Sequence, residues 1–199
     1  MKVKTFDKSD SEQQKFGIST KGVGNWQPYS QPFRYKCGFC DNAVSSSNGM
    51  SDFSKSNKIM FCPDCNAPTI FSNNTQFPKG VDSNLPKNLP ENIAKIYNEA
   101  TSAISVAAYT AVVLLCRKIL MHVSVELGAK AGEYFAVYVE FLMKNNFIPP
   151  NGKTWVDKIR LSGNEANHTI NIFNEKQAED ILKLTKFLLN YNYELIEKE

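Results

Sequence analysis

Four cysteines stand in two close pairs, Cys37-Gly38-Phe39-Cys40 and Cys62-Pro63-Asp64-Cys65, with 21 residues between the pairs. A C-x2-C pair on a tight turn offers two thiolates to one ion, and two such pairs at this separation have the spacing of a zinc ribbon. Gly38 and Pro63 suit the turns. Four thiolates fill a tetrahedral coordination sphere and leave no place for a water. The expected cofactor is therefore a structural Zn2+, one per chain, with Cys37, Cys40, Cys62 and Cys65 as ligands and no catalytic role. Two disulfides are the competing reading. Met1 to Gln14 is polar and charged, without the basic–apolar–cleavage pattern of a secretory leader, so thiols in a reducing cytoplasm are expected instead. The fifth cysteine, Cys116, lies in the most apolar stretch and reads as a small buried hydrophobe. His122, between Met121 and Val123, reads as a core or interface histidine.

A second patch, Trp155 to His168, places Arg160, Asn164 and His168 four residues apart, which sets them on one face if the segment is helical. The competing reading starts from Gly163 and from Ser162-x-x-Glu165, a capping box that would restart a helix there. Arg160 would then pair with a carboxylate while Asn164 and His168 hydrogen-bond a bend.

These residues need elements to position them. The chain has 199 residues, a formal charge of +3, 42% hydrophobic and 22% charged residues, the make-up of an ordinary globular protein of one or two domains. Basic residues exceed acidic ones in the first 90 residues only, a mild electrostatic hint toward a nucleic-acid partner. The longest apolar run, Ala103 to Cys116, falls short of the roughly 20 residues a membrane span needs, so no membrane partner is expected. Residues 1–32 read as a polar arm with one short strand near Lys15 to Ser19. Residues 33–71 read as the zinc ribbon, with strands at Phe33–Lys36, Lys58–Phe61 and Pro68–Phe71. Residues 72–89, rich in Asn, Ser and Pro, read as a linker. From residue 90 to 199 the apolar spacing is helical: Glu91 to Ser102, a central helix Ser105 to Leu127 ending at Gly128 and Gly132, Glu133 to Asn145, a short helix from Trp155 to Arg160 capped by Thr154, and Glu175 to Glu197. The expected fold class is mainly α, a compact domain of about five helices preceded by a small β zinc ribbon. Tyr109, Met121, Tyr134, Phe135 and Tyr138 exceed what one small core needs, so a homodimer through the helical domain is expected, burying more than ~1,000 Å2.

Several separated motifs carry a resemblance. Leu89-Pro90-Glu91, Tyr97-Asn98-Glu99-Ala100, Ala107-Ala108-Tyr109, Leu115-Cys116-Arg117-Lys118, Phe147-Ile148-Pro149-Pro150, Trp155 to Arg160 and Gly163 to His168 occur in the order seen in the domain-of-unknown-function 4145 family, which the chain resembles over about residues 85–197. Many members carry an N-terminal zinc ribbon. The resemblance implies a helical domain grouped with the HEPN superfamily, often dimeric and found in prokaryotic restriction, toxin–antitoxin and antiviral systems. It also implies a metal-independent endoribonuclease site built on an Arg-x4–6-His motif. Here seven residues separate Arg160 from His168, outside that window. On this reading His168 moves the proton of an RNA 2′-OH, Arg160 holds the phosphate, Asn164 orients the scissile group and Glu165 holds the histidine or the arginine. The alternative is a non-catalytic module, a zinc ribbon with a helical dimerisation domain, that binds nucleic acid or a partner protein in a defence or restriction complex.

Overall fold

In a computed structural model, residues 26–82, 84–149, 152, 154, 156, 157, 159 and 172–195 are described. They fall into two compact units that divide between Phe77 and Pro78.

The described residues of the first unit are all β in their regular structure. Seven strands, β1 (Trp26–Tyr29), β2 (Phe33–Lys36), β3 (Ala43–Ser46), β4 (Gly49–Asp52), β5 (Asn57–Phe61), β6 (Pro68–Ser72) and β7 (Thr75–Phe77), form two antiparallel sheets. The larger has the order β1-β4-β5-β6-β7, and β2 pairs with β3 in the smaller. Strict alternation along β6, with Thr69 and Phe71 buried between exposed Pro68, Ile70 and Ser72, gives this strand one inner and one outer face. The inner residues meet β2 and β3: Phe71 lies edge-on to Phe33 and Tyr35, with ring centroids 4.8 and 5.3 Å apart. Their cluster is small, comprising Tyr35, Cys37, Val44, Met60, Cys62 and Phe71.

Gly49 is required by close approach. A Cβ there would sit 2.4 Å from the Ile59 carbonyl oxygen and 2.6 Å from the Met60 sulfur. The carbonyl belongs to the paired strand and cannot retreat without breaking the ladder. Gly49→Ala is therefore expected to destabilise this unit by about 1–3 kcal/mol, the usual cost of overpacking. Loss of β-sheet signal at lower denaturant, with the helical transition unmoved, is the measurement.

The second unit is helical: α1 (Glu91–Ser105), α2 (Tyr109–Glu126), α3 (Phe135–Lys144) and α4 (Glu175–Leu189), the last continued by a π-helical turn, Asn190–Glu194. Thr154, Val156, Asp157 and Ile159 are also helical. α1 buries Ile93, Ile96, Tyr97, Ala100 and Ile104, a 3.6-residue stripe. α2 is the central helix, with Val112, Val113, Cys116 and Ile119 fully buried, and it packs against α1, α3 and α4. Asn174 and Gln177 close a capping box at the start of α4.

The mainly-α expectation is corrected. Among the described residues seven strands stand beside the four helices, and the regular structure of residues 26–77 is entirely strand. Four of the seven strands are unexpected: β3 and β4 lie inside the ribbon segment between the cysteine pairs, and β1 and β7 lie in segments read as irregular. β1 falls within 1–32 and β7 within 72–89, where Pro28 and the Asn73-Asn74 turn masked short edge strands. The strand expected near Lys15 lies outside the described residues.

Candidate metal centre

The two cysteine pairs sit on matching turns. In the first, the Asp41 N–H donates to the Cys37 carbonyl (3.1 Å) and the Cys37 N–H donates to the Asn42 carbonyl (2.9 Å). In the second, Asn66 N–H donates to Cys62 O (2.9 Å) and Cys62 N–H to Ala67 O (3.1 Å). Each turn closes through a left-handed residue, Asp41 at φ 63° and Asn66 at φ 57°. Asp and Asn tolerate that region better than other side-chain-bearing residues. Thus the residue after each second cysteine carries the positive φ, not Gly38 or Pro63. The turns are linked by Asn42 Nδ2, which donates to Asp64 Oδ2 (2.9 Å), and the first is pinned by Lys36–Asp41 (3.0 Å).

This geometry brings all four sulfurs within 4.8 Å of one another. Cys37 Sγ to Cys65 Sγ and Cys40 Sγ to Cys62 Sγ are each 3.7 Å. A tetrahedron with Zn–S bonds of about 2.3 Å has edges of about 3.8 Å, whereas a disulfide needs about 2.05 Å. The four thiols are free, and the donor set fits a soft divalent ion such as zinc. Cys37 and Cys62 are fully buried and Cys65 is exposed, so an ion here would sit at the edge of the unit's core. Burial opposes ionisation of Cys37, yet N–H donation from Cys40 and Phe39 holds its thiol below the ordinary value. Burial, with the neighbouring thiols, pushes Tyr35 up to about 12.

The sequence matches the domain of unknown function DUF4145 over residues 98–199. The chain belongs to the DUF4145 family. Neither the curated proteins nor the solved structures yield a significant match. The DUF4145 match lies wholly within the helical unit, so the four cysteines stand outside it.

Within the DUF4145 region, Arg160, Asn164, Glu165 and His168 lie outside the described residues. Cys116 is fully buried, as its apolar neighbours imply, and burial pushes its thiol up to about 12. His122 is half-buried on α2 beside Asn92, whose Nδ2 lies 3.4 Å from Nδ1 and donates to Glu126 (3.1 Å). Of the residues expected at a helical dimer surface, Phe135 and Tyr138 are consumed by the unit's own core, Tyr109 and Met121 pack half-buried against it, and Tyr134 stands free at 85% exposure.

Sequence reasoning missed a cleft of about 220 Å3 floored by Tyr97, Ile104 and Leu182 and rimmed by Lys79, Asp82, Glu179 and Lys186. Lys79 donates to both Glu175 and Glu179, and Lys186 pairs with Asp82 (2.8 Å). The Lys79 ammonium holds the Glu179 carboxyl below its usual range, while Glu175 and then Glu179 raise Lys79. These pairs clamp residues 79–82 to α4 across about 100 residues of sequence, a separation that no local pattern records. Among the described residues, no helix is long and apolar enough to cross a membrane.

Proposed function

We propose that this protein is a non-catalytic binding module, in which a β ribbon built around one structural Zn2+ presents a surface to a partner protein and the DUF4145 unit supplies the second interaction surface, within a prokaryotic or phage defence or restriction complex. The observation that carries this reading is the closed donor set: four thiol sulfurs within 4.8 Å of one another, two of the separations at tetrahedral edge length, would leave an ion no open position for substrate or water. Charge supports a protein partner over nucleic acid for the ribbon. Residues 26–77 carry Arg34, Lys36, Lys55 and Lys58 against Asp41, Asp52 and Asp64, and four thiolates on one Zn2+ add two negative charges. Thiols kept available to a metal fit a reducing, cytoplasmic compartment.

The second reading is metal-independent RNA cleavage by Arg160, Asn164, Glu165 and His168. It is favoured by the four-residue recurrence of Arg160, Asn164 and His168 and by the family resemblance. One assay separates the two. Purified full-length protein and its His168→Ala variant are incubated with single-stranded and structured RNA in EDTA too dilute to strip a tetrathiolate site. The binding-module reading expects no cleavage by either. Cleavage by the wild type leaving 2′,3′-cyclic phosphate ends, reduced ~10²-fold or more in His168→Ala, would establish the nuclease instead.

A further inference from the structure

The outer face of the five-stranded sheet is apolar across its whole width. Register places Pro28 opposite Met50, Met50 opposite Ile59, Ile59 opposite Ile70 and Ile70 opposite Phe77, one continuous cross-strand row. Residues directly opposite in antiparallel strands share a face, so the row lies on one side of the sheet. Met50 is 42%, Ile70 46% and Phe77 50% exposed. Phe61 and Pro68 extend the face on one side, and Trp26 with the polar Asp52, Asn57, Ser72 and Thr75 forms the margin on the other.

We infer that this face is a docking surface for a second copy of the chain, sheet packed on sheet about a two-fold axis. Charge selects the occupant. Among the twelve outward positions there is no lysine or arginine to hold a phosphate or an anionic headgroup. The sole charge, Asp52, already accepts from Asn57 and Ser54, so covering the face strands no unpaired carboxylate. The face is also self-complementary. With β5 central in the order β1-β4-β5-β6-β7, an axis along β5 lays Ile59 on the partner's Ile59, Met50 on the partner's Ile70 and Pro28 on the partner's Phe77. Asp52 meets the partner's Ser72, not a second carboxylate. Five strands at about 4.8 Å spacing and about 15 Å of strand length give a footprint of roughly 400 Å2. Side-chain relief raises this to roughly 1,000–1,200 Å2 for the pair, the lower limit for a specific interface. The dimer is accordingly weak and reversible, with a dissociation constant on the order of 10 µM.

Sedimentation velocity of the full-length, metal-loaded chain from 1 to 200 µM tests this. The expected result is a concentration-dependent dimer, weakened ~30-fold or more by Ile70→Glu, as removal of a central anchor does. Phe77→Gln serves if that variant fails to fold. Met50→Lys combined with Ile70→Glu should restore the dimer, because each lysine faces the partner's glutamate while the two positions within one chain are two strands apart. A monomer at 200 µM overturns the inference. So does a dimer indifferent to these changes, or one lost with Tyr134→Ala instead. RNA cleavage by the wild type would overturn the proposed function and leave this interface untouched.

Discussion

Cys37→Ser is expected to abolish metal binding and to melt the strands of residues 26–77 while the helices stay folded. Freshly prepared protein should carry one Zn2+ per chain by elemental analysis, and the variant none; less than about half an ion in the wild type would refute the site. The size of the effect follows from the poverty of the core. Among the described residues the β unit's apolar cluster has six members, and two of them, Cys37 and Cys62, belong to the four-cysteine cluster. Structural zinc in small domains is worth about 10–16 kcal/mol of apparent binding energy, as much as the whole stability of an ordinary domain. Four aromatic and aliphatic side chains cannot replace it. A strong chelator should reproduce the variant's loss of β-sheet signal. In that stripped state four thiols should react readily with a disulfide reagent, while Cys116, buried in α2, stays silent until the helices unfold.

The four-cysteine cluster is the most legible part of the chain because its information is local. Each pair needs four consecutive residues, and β2, β5 and β6, which carry the pairs' flanks, alternate or enrich apolar residues in the sequence itself. β4 carried no such signal. Gly49-Met50-Ser51-Asp52 becomes a strand through its neighbours β1 and β5, and Gly49 is chosen for the space it leaves, not for its propensity. Pro28 obscured β1 for a related reason, since proline is tolerated there only because β1 is an edge.

Helix ends show the same gradient. α1, α2 and α3 all finish in one hydrogen-bond pattern. Ala108 N–H donates to Ala103 O, Ala129 N–H to Ser124 O, and Phe147 N–H to Leu142 O, each five residues back around a left-handed residue. That residue is Gly128 (φ 107°) after α2, Asn146 (φ 59°) after α3 and Ala107 (φ 60°) after α1. The glycine was readable and placed the end of α2 correctly. The alanine was invisible: nothing in Val106-Ala107-Ala108 announces a stop, so the central helix was expected from Ser105 and begins instead at Tyr109. An alanine held there costs roughly 1 kcal/mol relative to glycine, which packing around it must offset. The C-terminal helix overran for the opposite reason. Its apolar stripe continues past Leu189, but the backbone widens into a π turn at Asn190–Glu194. There Asn192 is turned inward to donate to Phe147 O and Leu188 O.

Ile119→Ala is expected to be the mirror image of the cysteine variant, collapsing the helical unit's stability while zinc content stays at one per chain. Ile119 is fully buried at the middle of α2, the helix that α1, α3 and α4 all pack against. Removing three carbons there leaves a cavity that three surrounding helices must close at once. Such truncations cost about 2–5 kcal/mol, and the upper part of that range applies where the walls cannot relax. For a unit of this size the midpoint should drop by roughly 8–20 °C. The thiol of Cys116, one turn earlier on α2, reports the event: its modification should accelerate in step with the lost stability, because it reacts only from the opened state. Cys37, Cys40, Cys62 and Cys65 should keep the protection that bound zinc would give them. If Ile119→Ala released zinc as well, or if Cys37→Ser exposed Cys116, the two units would fold as one cooperative body and the separation at Phe77–Pro78 would have no thermodynamic meaning.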